Sequence, residues 1–279
     1  MYKRKPDWLK IKLPKGESYH FVNEVVHQHK LHTICESGKC PNIGECWGNR
    51  TATFMILGEI CTRSCKFCNT KTGKPLPPDP NEPQQLAEAI KLMKLKHAVI
   101  TSVDRDDLPD KGAEHWAKCI AAVRDLNPDT TMECLIPDFD GEHELLDKII
   151  KADPEIVSHN LETVKRLTPE VRSRAKYETS LEVIRYLSEN GVRSKSGMMP
   201  GLGETDEELH EAMDDLVATG CEILTLGQYL QPTVHHLPVD RYLTPDEFEN
   251  LKHTALQKGF KQVESAPLVR SSYHADQQV

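Results

Sequence analysis

Residues 61–68 read C-T-R-S-C-K-F-C and follow closely on an apolar run at 53–57. An apolar run of this kind predicts a buried strand, which then delivers a loop carrying the thiols of Cys61, Cys65 and Cys68. Three cysteines in so short a stretch fit one face of an iron–sulfur cluster, whereas a structural zinc site closes four ligands, usually gathered as two separated pairs. The stretch therefore predicts a cluster with one open iron, at which a small chelating molecule can bind.

A second cysteine triplet lies upstream, in the segment C-E-S-G-K-C-P-N-I-G-E-C-W at 35–47. The Gly, Pro and Asn residues of this segment prevent it from forming one continuous helix or strand. Cys35, Cys40 and Cys46 therefore predict three ligands of a second cluster. Its fourth ligand has to come from elsewhere in the chain.

The composition is that of an ordinary globular enzyme: 279 residues, 38% hydrophobic and 28% charged. No apolar stretch is long enough to span a bilayer, and the first eight residues contain no apolar signal-peptide core. The net charge of -8 argues against a nucleic-acid partner. Residues 3–15 are rich in Lys and Arg, which predicts either a solvated arm or a contact with phosphate or with an acidic protein substrate.

Cysteine usage bears on the compartment. The chain has nine cysteines, an odd number, and six of them stand in cluster spacing. Free thiols at such spacings are typical of a reducing compartment, so we expect a cytoplasmic protein. Cys119, Cys134 and Cys221 lie in apolar-periodic segments and are predicted to be buried small hydrophobic residues.

Short apolar runs alternate with longer amphipathic stretches between 51 and 230. Strands are predicted at 51–57, 98–103, 130–136, 155–158, 192–199 and 222–226. Helices are predicted at 83–95, 112–126, 142–151, 179–190, 204–219 and 245–258. This alternation predicts an α/β protein with parallel strands, which we interpret as an open, partial (β/α)6 TIM-like barrel.

This interpretation divides the chain into three parts. Residues 1–50 form an N-terminal extension with the first cysteine triplet, 51–243 form the barrel core, and 244–279 form a C-terminal helix and tail. Barrels of this kind place their chemistry at the carboxyl ends of the strands, where the Cys61 loop also lies.

The spacing at 61–68, with an aromatic residue before the last cysteine, resembles the signature of the radical S-adenosylmethionine (SAM) superfamily. Both triplets together with R-S-S-Y-H-A at 270–275 are similar to the lipoyl synthase family. The segments 101–108, 195–205 and 227–233 also match that family's pattern. The resemblance extends over nearly the whole chain.

The resemblance implies two [4Fe-4S] clusters. Cys61, Cys65 and Cys68 would hold the SAM-binding cluster. Cys35, Cys40, Cys46 and Ser272, with Ser271 as the fallback, would hold a second, auxiliary cluster. A serine oxygen matches iron less well than a thiolate, so this cluster should be easier to dismantle.

The two serines could instead belong to a capped turn in a polar tail. Arg270, next to the serine ligand, would either assist exchange of that ligand or form a surface ion pair.

Contacts to SAM are implied at the strand ends. The methionine part would lie after the second strand, the ribose after the fourth and adenine along 197–201. The candidate residues are Phe67, Ser102, Asp104, Asn160, Glu162, Gly197, Met199 and Gly201. Helix capping, loop hydrogen bonds and tight turns are alternative roles for these polar residues and glycines.

The activity implied is insertion of two sulfur atoms, at C6 and C8 of an octanoyl chain amide-linked to a lysine of a lipoyl carrier domain. These carbons offer no acid, base or leaving group, so a SAM-derived 5′-deoxyadenosyl radical would remove hydrogen atoms and the auxiliary cluster would be consumed as sulfur donor. The chain would thus be a radical SAM sulfurtransferase.

The implied partners are carrier domains of 2-oxoacid dehydrogenase E2 subunits or of the glycine cleavage H protein, a ferredoxin or flavodoxin reductant, and a carrier that rebuilds the spent cluster.

Three alternatives stay open. A related sulfur-inserting or methylthiolating enzyme would act on a biotin precursor or a tRNA base. A non-catalytic electron carrier would hold both clusters entirely with cysteines. A zinc-binding module would lack iron altogether.

Overall fold

The chain folds around one open sheet, taken from a computed structural model that describes residues 4–11 and 16–279. Over these residues the strands are β1 (His32–Thr33), β2 (Thr53–Ile56), β3 (Ile60–Cys61), β4 (Lys71–Thr72), β5 (His97–Ser102), β6 (Thr131–Leu135), β7 (Ile156–Ser158), β8 (Ser194–Met198), β9 (Ile223–Leu226) and β10 (Gln262–Ser265). The helices are α1 (Glu17–Gln28), α2 (Ile34–Ser37), α3 (Ile43–Gly48), α4 (Glu82–Met93), α5 (Ala113–Leu126), α6 (His143–Lys151), α7 (Thr168–Val171), α8 (Tyr177–Glu189), α9 (Asp206–Ala218) and α10 (Pro245–Lys258).

The main sheet has the order β1-β2-β5-β6-β7-β8-β9-β10 within the described residues. Neighbouring strands are parallel except for β1 and β2. Because β1 and β10 remain edges, the sheet curves without closing into a barrel. The predicted fold class, an α/β partial TIM-like barrel, is confirmed.

The six predicted strands and six predicted helices all occur, with ends shifted by a few residues at most. The sheet contains two strands that the sequence did not predict. Strand β10 reads Q-V-E-S, and the short β1 has two residues, so neither carries an apolar run. Helix α10 and β10 belong to the segment assigned to the C-terminal extension, and they continue the sheet by one further helix–strand unit.

The residues at their ends explain why helices α9 and α10 could be predicted from sequence. The threonine before each helix, Thr205 or Thr244, accepts a hydrogen bond from the backbone amide of the glutamate three residues later, Glu208 or Glu247. The carboxylate of that glutamate accepts a hydrogen bond from the backbone amide of the threonine. Helix α10 also begins with Pro245 and ends at a left-handed glycine, so that its predicted limits are those observed.

A buried ion pair crosses the barrel interior. Lys195 Nζ on β8 lies 2.8 Å from Glu133 Oε2 on β6, and both side chains are fully buried. Ser158 on the intervening strand β7 donates to Glu133 Oε1 at 2.9 Å. The pair therefore ties three neighbouring strands together at a depth where either charge alone would be costly.

No helix of the described residues is long and apolar enough to cross a membrane. Of the basic arm predicted at 3–15, residues 3 and 12–15 lie outside the described part of the chain.

Removing one partner of the buried pair should destabilise the fold strongly. We expect Lys195→Met to lower the free energy of unfolding by roughly 3–5 kcal/mol, because Glu133 then stays buried without its counter-charge. The double variant Lys195→Met/Glu133→Leu should recover most of the loss. Parallel urea titrations of the three proteins measure this, and equal losses in the single and double variants would contradict it.

Candidate active site

The main cavity lies at the carboxyl ends of the parallel strands and has a volume of about 730 Å³. It is lined by these residues predicted from sequence: Cys35, Cys40, Cys61, Cys65, Phe67, Cys68, Ser102, Asp104, Asn160, Glu162, Gly197, Met199, Arg270, Ser271 and Ser272. Residues of both cysteine triplets thus face one space, although the triplets belong to different segments of the chain.

A second cavity of about 340 Å³, here the side cavity, adjoins the main one. Its lining includes all of Cys35, Cys40 and Cys46, together with Ser272. The two cavities share Cys35, Cys40, Thr53, Arg270 and Ser272 as a common wall. The first triplet therefore lies between the main cavity and the side cavity.

The Cys61 sulfur is positioned by the backbone. The amide groups of Arg63 and Asp104 lie 3.4 Å and 3.3 Å from Cys61 Sγ and donate to it. Burial, followed by the negative charge of Asp104, raises the pKa of the Cys61 thiol to about 12. Binding of a metal to this sulfur therefore has to displace a proton, as it does at thiolate metal sites generally.

Arg63, inside the cysteine loop, is a buried hub that sequence reasoning missed. Its guanidinium makes two-pronged hydrogen bonds of 2.8–2.9 Å with Asp106 after β5 and with Asp138 after β6. Asp104 and Asp140 lie 3.3 Å and 3.5 Å away. Although burial opposes ionisation, the hydrogen bonds and charge of Arg63 hold the pKa of Asp138 well below its usual range. The loop is thereby fixed to two strand ends by charge-assisted bonds.

The sequence did contain a signal for this hub. A positive charge stands between Cys61 and Cys65, and two groups of aspartates follow predicted strands, three at 104–107 and two at 138–140. Because the carboxyl ends of parallel strands share one edge, opposite charges there are expected to meet.

The C-terminal tail passes directly over the end of β9. A Cβ atom added at Gly227 would lie 2.0 Å from the carbonyl oxygen of Val269, so only glycine leaves room for the tail backbone. Asn42 Nδ2 donates to the carbonyl oxygen of Leu268 at 2.7 Å. These contacts bring residues 270–272 beside the first cysteine triplet.

The two tail serines face different neighbours. Ser272 Oγ accepts a hydrogen bond from Thr53 Oγ1 at 2.7 Å and lines both cavities. Ser271 Oγ accepts from Asn160 Nδ2 at 2.8 Å and lines the main cavity. Of the two, Ser272 therefore shares the side cavity with all three cysteines of the first triplet.

Arg270 is held by carbonyl groups. It donates to the backbone oxygens of Gln228 and Val269, at 3.2 Å and 2.6 Å. Burial lowers the pKa of its guanidinium, and the proximity of Cys40 opposes that shift. A positive charge thus lies on the wall shared by the two cavities.

Polar groups of the main cavity are arranged for a ligand with hydrogen-bond donors. Asn160 Oδ1 is buried and has no hydrogen-bond partner among the described residues. Glu162 adopts a left-handed backbone with φ of 70°, unusual for this residue type, and bridges to Met198. Burial raises the pKa of the Glu162 carboxyl, with the charge of Arg172 opposing the shift.

Two glycines predicted to contact the nucleotide differ in position. A Cβ at Gly197 would lie 2.9 Å from Asn160 Oδ1, so this glycine keeps the cavity open beside that oxygen. Gly201 is not among the residues lining the cavity. Its φ is 111°, and a Cβ there would lie 2.2 Å from Nε2 of the buried Gln228, so a turn accounts for this glycine.

A further group of possible metal ligands lies away from both cavities. Ligand atoms of Glu82, His115 and Cys119 lie within 4.8 Å of one another. Glu82 Oε2 already accepts from His115 at 2.6 Å and from the Leu57 amide at 2.8 Å. These hydrogen bonds to the His115 ring and to the backbone account for the position of Glu82. Cys119, Cys134 and Cys221 are buried, as predicted.

Comparison with known proteins gives the family. A model of the radical SAM superfamily matches residues 55–216, and a model of the N-terminal domain of lipoyl synthase matches residues 2–40. The lipoyl synthase of Bacteroides fragilis strain YCH46 is 64% identical over 276 residues, which are 99% of this chain and 96% of that protein. The lipoyl synthase of Treponema denticola is 58% identical, covering 99% of this chain and 95% of the relative.

The chain belongs to the lipoyl synthase family. This confirms the resemblance drawn from sequence and leaves the electron-carrier, zinc-module and other-substrate alternatives without support. Lipoyl synthases of the radical SAM superfamily use SAM and two [4Fe-4S] clusters.

Solved structures with this fold are distant in sequence. Streptococcus suis SuiB bound to S-adenosylmethionine gives a TM-score of 0.61 at 10% identity, covering 89% of this chain and 62% of that one. Methylornithine synthase gives 0.53 at 12% identity, covering 89% and 79%. At these identities the likeness shows the fold alone, which is the partial barrel described above.

The residues present fit the family's cofactors. The main cavity has five thiols on its wall, including all three of the 61–68 loop, and the side cavity has the three of the first triplet. Thiols are the donor type that iron–sulfur clusters require. The unpartnered Asn160 Oδ1 offers an acceptor to a hydroxyl or amino group in the main cavity.

We expect Arg63 to decide whether the Cys61 loop can hold the SAM-binding cluster predicted there. We expect Arg63→Met to lose most of the SAM-binding cluster, because Asp106 and Asp138 then remain close together without a buried counter-charge. Arg63→Lys should be intermediate, since a lysine cannot form two two-pronged pairs. Iron content and visible absorbance after anaerobic reconstitution measure this, with the auxiliary cluster as internal reference.

The control for Arg63 is Arg174→Met. Arg174 also pairs with Asp106 and Asp140, but about half of its side chain is exposed, so its removal should change little. Equal cluster loss in both methionine variants would contradict a special role for Arg63.

Gly227→Ala should displace the tail. Its methyl group cannot coexist with the Val269 carbonyl group, so we expect residues 268–272 to become susceptible to protease and the auxiliary cluster to be lost while the SAM-binding cluster stays. Gly48→Ala is the matched control, because a Cβ there meets nothing within 4 Å. Retention of both clusters in Gly227→Ala would show that the tail tolerates the shift.

Proposed function

We propose that this chain inserts two sulfur atoms, at C6 and C8 of a protein-bound octanoyl-lysine, to give a lipoyl-lysine. The single observation that carries the proposal is the shared main cavity, because Cys61, Cys65 and Cys68 face the same space as Cys35, Cys40 and Ser272. A radical source and a sulfur donor have to be neighbours of the same substrate carbon. One cavity lined by both ligand sets meets that requirement.

When bound, SAM and its reduced cluster supply a 5′-deoxyadenosyl radical that removes hydrogen atoms from the chain, and the auxiliary cluster supplies the sulfur. In our proposal Cys61, Cys65 and Cys68 hold the SAM-binding cluster. The backbone amides of Arg63 and Asp104 donate to the Cys61 sulfur. The fixed loop keeps the position at which SAM binds constant.

SAM is proposed to lie along the strand ends. Phe67, Ser102 and Asp104 border the Cys61 side of the cavity, and Asn160, Glu162, Gly197 and Met199 border the opposite side. Asn160 Oδ1 and the Glu162 carboxylate are acceptors suited to the ribose hydroxyls. Ser102 Oγ already accepts from Trp116 Nε1 at 3.1 Å, which leaves its own hydroxyl proton free to donate.

Ser272 is proposed as the fourth ligand of the auxiliary cluster, with Cys35, Cys40 and Cys46. Its position on the side cavity, which all three cysteines also line, supports this choice over Ser271, which lines the main cavity and not the side cavity. Thr53 Oγ1 donates to the Ser272 oxygen and can go on donating to it when that oxygen binds iron. Arg270, beside it, supplies a positive charge that favours the anionic alkoxide form.

The substrate is proposed to be an octanoylated lipoyl carrier domain, of a 2-oxoacid dehydrogenase E2 subunit or of the glycine cleavage H protein. Apolar side chains suited to an acyl chain line the main cavity: Leu9, Ile11, Ile34, Met55 and Leu230. Lys5, Lys10 and Lys39 lie at the same cavity and suit an acidic carrier surface.

The remaining partners and the cellular setting are proposals of the same kind. They are a ferredoxin or flavodoxin reductant, an iron–sulfur carrier that rebuilds the auxiliary cluster, and a cytoplasmic location. The division into 1–50, 51–243 and 244–279 is proposed as one of function, in which both outer parts supply ligands of the auxiliary cluster to the barrel.

The test is anaerobic turnover of an octanoyl-lysyl peptide with SAM and a strong reductant, read by mass spectrometry. Two added sulfurs together with 5′-deoxyadenosine are expected. Ser272→Ala should still cleave SAM and insert little sulfur, whereas the matched Ser271→Ala should keep most of the sulfur insertion. Cleavage of SAM without sulfuration by the unaltered protein would refute the substrate, and the reverse order of the serine variants would refute the ligand.

A further inference from the structure

The side cavity reaches the auxiliary site without passing through the main cavity. Cys46 lines the side cavity but is not among the residues lining the main one, while Cys35 and Cys40 lie on the common wall. Exposed residues of the side-cavity lining include Glu45, Asn49 and Asp276. The auxiliary ligands are therefore bordered on one side by the substrate space and on the other by a separate opening.

Two chain segments meet across that opening. Glu45 belongs to α3, next to Cys46, and Tyr273 belongs to the tail, next to Ser272. The Tyr273 hydroxyl donates to Glu45 Oε1 at 3.0 Å, in an exposed contact between residues 228 positions apart. The Tyr273 ring stacks on His274 with 3.9 Å between ring centroids. One solvent-exposed hydrogen bond thus joins the segments that supply ligands from opposite ends of the chain.

We propose that the side cavity is the passage through which iron and sulfide, as ions or as a preassembled cluster, leave and re-enter the auxiliary site, and that the Tyr273–Glu45 hydrogen bond closes it. The inference rests on the proposed function, in which this cluster gives up its sulfur and has to be rebuilt. During catalysis the main cavity is filled by SAM and by the acyl chain of the carrier. A second opening allows exchange while that cavity stays filled.

The strength of the closing contact suits this role. A single exposed hydrogen bond contributes little to stability, so thermal opening is frequent, yet the contact keeps the passage shut most of the time. Tyr273→Phe removes the donor and keeps the stacked ring. Glu45→Ala removes the acceptor, whereas Glu45→Gln retains an acceptor oxygen in the same place.

The first experiment measures iron release from the two-cluster enzyme to a ferrous chelator, with no reductant so that SAM is not consumed. Release should have two phases. Variants with alanines at Cys61, Cys65 and Cys68, or at Cys35, Cys40 and Cys46, hold one cluster each and assign the phases. Saturating SAM and octanoyl-lysyl peptide should slow the phase of the SAM-binding cluster several-fold and leave the auxiliary phase unchanged. Equal slowing of both phases would overturn the proposal.

The second experiment tests the closing contact. Tyr273→Phe and Glu45→Ala should each speed the auxiliary phase about 2- to 10-fold, the range that loss of one exposed hydrogen bond allows. The double variant should add nothing further, because both changes break the same bond. Glu45→Gln should stay close to the unaltered rate. Unchanged rates in Tyr273→Phe and Glu45→Ala would overturn the role of the contact.

The phase of the SAM-binding cluster serves as a folding control, since it should not change in any of these variants. Rebuilding by added iron and sulfide, followed by visible absorbance, should show the same dependence on Tyr273 and Glu45. Failure of the proposed function has a different signature: a protein that sulfurates no peptide, or binds a single cluster, fails before any release phase is compared.

Discussion

Docking of the C-terminal tail onto the end of β9 is the constraint on which the site depends. The auxiliary ligand set proposed here joins Cys35, Cys40 and Cys46 to a serine more than 200 residues away, so it exists only while the tail backbone lies against Gly227. Strand β10 leads the chain to that point, and Asn42 binds the Leu268 carbonyl group from the N-terminal side. The segment around Asn42 and the C-terminal tail are therefore held to each other as well as to the barrel.

Buried charges hold the barrel itself. Lys195 and Glu133 cross the interior below the cavity, and Arg63 joins the cysteine loop to the ends of β5 and β6. Such pairs add little net stability over apolar packing, but either partner alone is costly, so arrangements that separate the partners are disfavoured. The geometry of the Cys61 loop is thereby specified by the same interactions that specify the sheet.

The sequence predicted the parts whose signals are local. Periodicity identified the βα units, and Pro245 and Gly259 mark the two ends of α10. Strand β10 was not predicted because Q-V-E-S has no apolar run and because its pairing with β9 is a long-range property. The role of Arg63 was not predicted because its partners Asp106 and Asp138 lie 43 and 75 residues away in sequence. Gly201 belongs to a segment that matches the family pattern. Glycine is needed there because the Gln228 side chain leaves no room for a Cβ atom, and only the folded chain brings Gln228 near.

The contacts around the two proposed clusters differ in kind. The Cys61 loop is fixed by buried, charge-assisted bonds from Arg63, which are roughly twice as strong as neutral ones. The two tail serines are held by neutral bonds between hydroxyl and amide groups, namely those of Ser271 with Asn160 and of Ser272 with Thr53. A cluster that returns unchanged after each cycle benefits from a rigid loop, whereas a cluster that is consumed needs ligands that can dissociate from the iron. The fold provides rigidity at the first site and weak, reversible contacts at the second.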